Sequence, residues 1–368
     1  MNIPVRDVTA SQKLSIVDCD IHPVQRAKSD LAPFMAQRWR EHMATFGGHI
    51  RQGLWAGQNV YPRMMGAGRR LDSFPAAGGP PGSDLPTMQK QHLDANGVET
   101  GMLICGNGSG FEERNLDYGA ALAHAVNEWQ LEYFVRKEPR LRAGLVVPQE
   151  NPEAAVKEIE LRAGDRSFSQ VVMSPRSAEP LGRRKYWPIF AAAEASGLPF
   201  GIHQANINGG HPSTGSGWPT YYMQEHYAFM PHLQSVVVSM IMEGVFEKFP
   251  KLKVVIIEAG YTWAPALGWR MDKTWERMRK EVPHLKRKPS EYLREHFWFT
   301  TQPIEEPDDP NELVEMFDWI GWDRMLFSTD YPHWDFDDPK FALKFRMSDT
   351  QKAMLMRDNA RALYRLAA

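Results

Sequence analysis

Short apolar runs and longer amphipathic stretches alternate along most of this chain. Runs of strand length stand at 100–105, 141–147, 169–173, 198–203, 252–257, 297–301 and 325–328, each bounded by turn residues. Helical periodicity fills the intervals at 115–137, 152–163, 187–196, the stretch up to 249, 263–280, 311–320 and 339–366. A strand at 15–21 and a helix at 85–96, stopped by Gly97, come before them. Strands that are apolar throughout and separated by helices pair in parallel, with both faces covered. Eight such strands predict an α/β fold, a distorted (β/α)8 barrel. A doubly wound open sheet is the alternative, but no Gly-x-Gly-x-x-Gly follows the first strand.

Residues 24–84 break the rhythm. They hold one short helical stretch, 31–43, and then a segment at 47–82 rich in Gly, Pro and Arg. A loop of this length inside a compact domain reads as an inserted lid over the barrel mouth. The expected organisation is a tail at 1–14 and one domain at 15–366.

Composition excludes more than it assigns. With 43% hydrophobic and 24% charged residues the chain is of ordinary globular type. A formal net charge of -2 and no Lys/Arg block argue against a nucleic-acid partner. No apolar run is long enough to span a membrane, and 1–14 lacks the apolar core of a secretory signal. Cys19 and Cys105 have no metal-binding or redox spacing, so a reducing, cytoplasmic location is expected. Homo-oligomerisation is compatible with the aromatic and helical surface, although no heptad specifies it.

The candidate chemistry lies at strand ends. Alternation along 15–21 sends Asp18, Asp20 and His22 to one face and Cys19 and Ile21 to the other. His203 closes the fifth strand, Glu258 the sixth and Asp330 the eighth. Any one of these is more often a hydrogen-bonded polar residue than a ligand. Four coincidences on the rim where barrels carry their chemistry point to a metal. Two imidazoles and two carboxylates without a thiolate suit zinc, manganese or iron. Asp330 then ligates the ion or takes a proton, and Glu258 is a further ligand or an acid–base group. His226, near the start of a helix, is another candidate that could turn into the site. Asp18 is expected to orient His22. Trp55, Trp218, Trp263 and Trp334 are candidates to line an aromatic or apolar pocket.

The residues also carry a resemblance. Asp-Ile-His-Pro at 20–23, Gly-Ile-His at 201–203, Gly-Val-Phe-Glu-Lys-Phe-Pro-Lys-Leu-Lys-Val-Val at 244–255 and Ser-Thr-Asp-Tyr-Pro-His at 328–333 resemble the amidohydrolase superfamily. The branch they are most similar to is the amidohydrolase-related group, which includes aminocarboxymuconate semialdehyde and hydroxybenzoate decarboxylases. The resemblance spans 15–366 and implies a divalent metal held by Asp20, His22, His203 and Asp330. In the decarboxylases a histidine that handles the proton holds the strand-6 position, which is Glu258 here. A carboxyl, with an ordinary pKa of about 4, needs burial to be protonated at neutral pH. The substitution also makes a dinuclear site conceivable.

The leading expectation is a metal-dependent hydrolase of a small aromatic or carboxylate-bearing molecule, with metal-activated water as nucleophile and Asp330 and Glu258 relaying protons. Zinc is the first choice of metal, manganese or iron the others. The alternatives are a non-oxidative metal-dependent decarboxylase, a dinuclear Mn/Fe-type oxygenase and, last, a non-catalytic binding subunit.

Overall fold

The computed structural model describes residues 14–46, 68–106, 109–111, 113–204, 215, 217 and 219–366. Eight parallel strands hydrogen-bond in sequence order: β1 (Ile16–Ile21), β2 (Val98–Leu103), β3 (Leu141–Val146), β4 (Phe168–Met173), β5 (Phe200–His203), β6 (Val254–Ile257), β7 (Phe297–Thr300) and β8 (Met325–Leu326). The ring closes where the chain after β8 meets β1. There Cys19 N donates to Phe327 O (3.0 Å), Asp330 N to Asp20 O (3.1 Å) and His22 N to Tyr331 O (2.7 Å). The expected barrel is the observed one.

Its walls follow from composition. Every residue of β1, β4, β5, β6 and β7 is buried, as parallel strands covered on both faces must be. Helices α1 (Gln37–Phe46), α2 (Leu85–Met88), α3 (Leu116–Gln130), α4 (Pro152–Leu161), α5 (Trp187–Ser196), α6 (Tyr222–Met242), α7 (Val245–Lys248), α8 (Trp263–Met278), α9 (Pro289–His296), α10 (Glu312–Ile320), α11 (Asp349–Ala353) and α12 (Asn359–Tyr364) accompany them. Asn115 and Asn151 cap α3 and α4 through side-chain oxygens, and Gly197 ends α5 in a left-handed turn.

Several boundaries differ from expectation for physical reasons. The stretch 31–43 is two elements, a 3-10 helix Lys28–Phe34 and then α1, divided at Met35, whose backbone is extended (φ -106°, ψ 147°). Helix α9 was not expected at all, since its eight residues follow a charged, Pro-containing stretch. The final helical region begins only at Asp349, where Ser348 caps it, so 339–348 is not helical. Gly244, at φ 78°, divides the long sixth helix into α6 and α7.

The segment between β1 and β2 is described in two parts, and 47–67, including Trp55, lies outside the described residues, as does Trp218. Its return limb packs on the loop that follows β8. Arg69 pairs with His333 in an antiparallel bridge, Arg70 N donates to Pro332 O (3.0 Å) and Trp334 N to Gly68 O (3.2 Å). Gly82 lies on the first residues after β1: Val24 N donates to its carbonyl (3.1 Å), and its φ is 84°.

Candidate metal centre

Sequence order brings the rim together. Asp20 lies next to the end of β1 and His22 just beyond it, and His203 is the last residue of β5, level with Ile257 of β6. Glu258 follows immediately, and Asp330 lies four residues past β8. Among the described non-glycine residues, left-handed backbone occurs at Glu258 (φ 55°), Asp330 (φ 62°) and Arg365. Two of the three are site carboxylates. Such conformations persist where the surrounding structure holds them, often at functional sites.

The five side chains converge. His22 Nδ1 hydrogen-bonds the Ile104 carbonyl (2.9 Å), which fixes the ring and leaves Nε2 facing inward. That nitrogen is 3.1 Å from Asp20 Oδ1 and 2.7 Å from Asp330 Oδ1. His203 Nε2 is 2.8 Å from Glu258 Oε2 and 3.6 Å from Asp20 Oδ2. All five residues are at most 8% exposed. Several of these contacts are close without hydrogen-bond geometry. Both Asp20 oxygens, His22 Nε2 and both His203 nitrogens are buried with no hydrogen-bond partner among the described residues.

Orphaned buried donors and acceptors of this kind are costly unless something between them satisfies them. One ligand atom from each of Asp20, His22, His203 and Glu258 lies within 4.8 Å of the others. The same holds for His22, Glu258, Asp330 and His333. A mixed set of imidazoles and carboxylates at these separations fits a divalent cation of the zinc, manganese or iron kind.

Electrostatics reports the same crowding. Burial opposes protonation of His203, but Asp20 and Glu258 beside it push its pKa up to about 9. His22 is raised well above the ordinary imidazole value against the same burial cost, by Asp20 and Asp330. Burial pushes Asp330 up to about 8, although His22 pulls the other way. Glu258 is raised, first by burial and then by Asp330. Asp20 is held well below the carboxylate range, burial being outweighed by the two imidazoles. The metal-free site therefore retains protons where a cation would otherwise supply positive charge.

Two other residues have different partners from those expected. Asp18 does not touch His22. β1 shifts register against β2 between Asp18 and Ile21, and Asp18 faces the seam instead. It accepts from His92 Nε2 (2.7 Å), Thr329 Oγ1 (2.5 Å), Thr329 N (3.0 Å) and Asp20 N (3.2 Å). His92 in turn stacks on Tyr331 with centroids 4.7 Å apart. His226 belongs to neither candidate ligand group; its Nε2 is 2.9 Å from Asp335 Oδ2.

Sequence reasoning missed four residues near the site. Gln302 Nε2 donates to Asp330 Oδ2 (3.2 Å) and to Asp335 Oδ2 (3.1 Å). Its position just after β7 is a signal the strand-end rule could have used. Arg69 is drawn electrostatically to Asp330 and Glu258, while the hydrogen bond recorded for its guanidinium is to its neighbour Gly68. Nothing in the lid sequence distinguishes Arg69 from the other arginines there. His92 and Asp335 become visible only through their partners.

A closed parallel barrel with buried imidazoles and carboxylates on its C-terminal rim has the architecture of a barrel metalloenzyme. A family model described as amidohydrolase matches residues 17–366, and the chain belongs to that family. Among curated relatives, a gamma-resorcylate decarboxylase from a Polaromonas species is 26% identical over 271 residues, covering 69% of this chain and 79% of the relative. Among solved structures, an amidohydrolase from Mycobacterium avium subsp. paratuberculosis superposes with a TM-score of 0.72 at 22% identity, covering 96% of this chain and 100% of that one. A 5-carboxyvanillate decarboxylase from Novosphingobium aromaticivorans, complexed with manganese and 4-hydroxy-3-methoxy-5-nitrobenzoic acid, gives 0.71 at 18% identity, covering 96% and 97%. No helix among the described residues is long and apolar enough to cross a membrane.

Proposed function

We propose that this protein is a metal-dependent, non-oxidative decarboxylase of a small aromatic acid, with Asp20, His22, His203 and Asp330 holding the ion. The observation that carries the reading is Glu258. The chemistry of decarboxylation needs a proton donor at the carbon that loses carbon dioxide. Glu258 stands where the decarboxylases that the chain resembles carry a histidine, and burial supplies what a carboxyl there requires, a pKa raised above its ordinary value. The curated relatives named as decarboxylases support the same choice over hydrolysis, which has support only from the superfamily as a whole.

A bound divalent cation supplies Lewis acidity and a fixed positive charge for the carboxylate and a neighbouring oxygen of the substrate. The chain's own residues do the rest. Arg69, on the lid limb and under the electrostatic influence of Asp330 and Glu258, offers a guanidinium to an anionic substrate. Glu258 holds a proton for the carbon, and Gln302 holds the outer oxygen of Asp330. Manganese, named in the Novosphingobium structure, stands beside zinc as the ion to test first.

The test is to load the protein with Mn²⁺ or Zn²⁺ and supply 2,6-dihydroxybenzoate and other ortho-hydroxylated benzoates, following carbon dioxide and the phenol. Release of both, falling by about 10²–10⁴-fold in Glu258→Gln with metal content unchanged, is expected. Hydrolysis of amides or lactones without carbon dioxide from any acid would overturn the reading.

A second reading rests on the other ligand group, His22, Glu258, Asp330 and His333, which shares two members with the first. It is a two-ion site of the Mn/Fe kind that reacts with dioxygen. Metal analysis decides: two ions per chain including iron, with oxygen uptake, would replace the decarboxylase.

A further inference from the structure

The Asp335–His226 pair has no part in ligating the ion. His226 lies on α6, its side chain 19% exposed, with Tyr222 one turn before it on the same helix. Its Nε2 is held by Asp335 Oδ2 at 2.9 Å. The same oxygen accepts from Gln302 Nε2 at 3.1 Å, and that amide also donates to Asp330. An oxygen receiving two donors stays an acceptor, so Nε2 of His226 carries its hydrogen and Nδ1 is left to exchange protons. Trp334 packs on the ring, centroids 5.6 Å apart, and its Nε1 donates to Tyr222 OH (3.2 Å). The result is an imidazole with one nitrogen oriented by a carboxylate, its edge reaching solvent and its partner tied to the rim. That is the shape of an acid–base histidine.

We infer that His226, oriented by Asp335, is the proton port of this enzyme, taking a proton from solvent and delivering it to the metal centre. The inference rests on the decarboxylase reading for its purpose. In that reaction the bond between ring carbon and carboxyl carbon breaks with its electron pair left on the ring, a carbon–hydrogen bond forms in its place, and carbon dioxide leaves. Each turnover consumes one proton, so the protein must draw one from water to begin again. Glu258 is almost fully buried and cannot recover a proton directly. Two imidazoles near it reach solvent, His333 (17% exposed) and His226 (19% exposed). His333 is engaged by Asp330, and His226 is the one held by a carboxylate outside both ligand groups.

Tyr222 of its own helix lies against the ring, centroids 5.8 Å apart, and the charged groups facing His226 are Asp335 from the loop after β8, Glu258 after β6 and Asp330 after β8. Burial lowers the affinity of the ring for a proton, and these groups more than restore it. His226 therefore holds a proton more firmly than an ordinary imidazole.

The experiment has two arms on the metal-loaded chain. The first compares His226→Ala and His226→Gln with the native protein on 2,6-dihydroxybenzoate, with metal content measured in each. Expected is a fall in kcat of at least tenfold at full metal content, restored in a saturable way by added imidazole in His226→Ala. Activity within twofold of native, a loss that imidazole does not restore, or a loss that follows lost metal would each overturn the inference. The second arm needs no substrate. NMR titration of the zinc-loaded protein should find His226 above the ordinary imidazole pKa, falling in Asp335→Asn. An unchanged titration would overturn the dyad. Absence of decarboxylation in the native protein would fail the functional reading alone and leave this arm to decide.

Discussion

Asp18 shows how much one carboxylate can hold in a buried seam. Its two oxygens take four donors, two of them from Thr329, 311 residues away in the chain. Removing it leaves those donors buried and unanswered. Asp18→Ala is expected to cost roughly 3–5 kcal/mol in urea unfolding of the metal-loaded protein. It should also weaken metal binding about 10–100-fold, because the Asp20 amide and the Thr329–Asp330 turn lose their common anchor. A cost below 1 kcal/mol would mean that the network is dispensable. The sequence announced Asp18 as unusual because a charge inside an apolar strand needs a partner. It could not announce which partner, because His92 and Thr329 come from distant segments.

Strands and rim residues were legible because they follow local rules: alternation, apolar runs and the habit of barrels to carry chemistry at strand ends. Thus Asp20, His22, His203, Glu258 and Asp330 could be picked out and do converge. What stayed hidden depends on how loops cross. Arg69 comes under the influence of the site carboxylates because its limb pairs with His333, and Gln302 matters only because Asp330 and Asp335 come to its amide. The lid limb makes its own prediction. Gly82 has a left-handed backbone, and a Cβ there would collide with the His22 carbonyl oxygen. Gly82→Ala should cost at least about 1–3 kcal/mol for the backbone alone. It should also shift His22 and so lower metal affinity, measured by competition with a chelator. Unchanged affinity and midpoint would show that the limb yields without consequence.

For the molecule as a whole, the centre governs how stability responds to pH. Without metal, His203 is raised to about 9 and His22 well above its ordinary value, so their contribution is complete below about 6.5 and is lost as pH rises through the folded values. Asp330, raised to about 8, acts in the same direction: the folded state resists its ionisation from the ordinary carboxylate range upward. His333, lowered by burial first and then by His22 and Arg69, opposes them only below its ordinary value. The metal-free protein should therefore lose Tm steadily between pH 6.5 and 9, whereas the metal-loaded protein should not. A flat profile for the metal-free form would contradict the proton-retaining site.

The ring is closed by hydrogen bonds between β1 and the chain just past β8, and the candidate ligands stand on both sides of that closure. During synthesis, Asp20 emerges about 310 residues before Asp330. Every intermediate length of chain carries an unfinished centre and an open wall. The order of the strands thus defers completion of the candidate centre until β8 and the residues after it have been made. A chain that stops short of Asp330 lacks this candidate ligand, however many of its helices have formed.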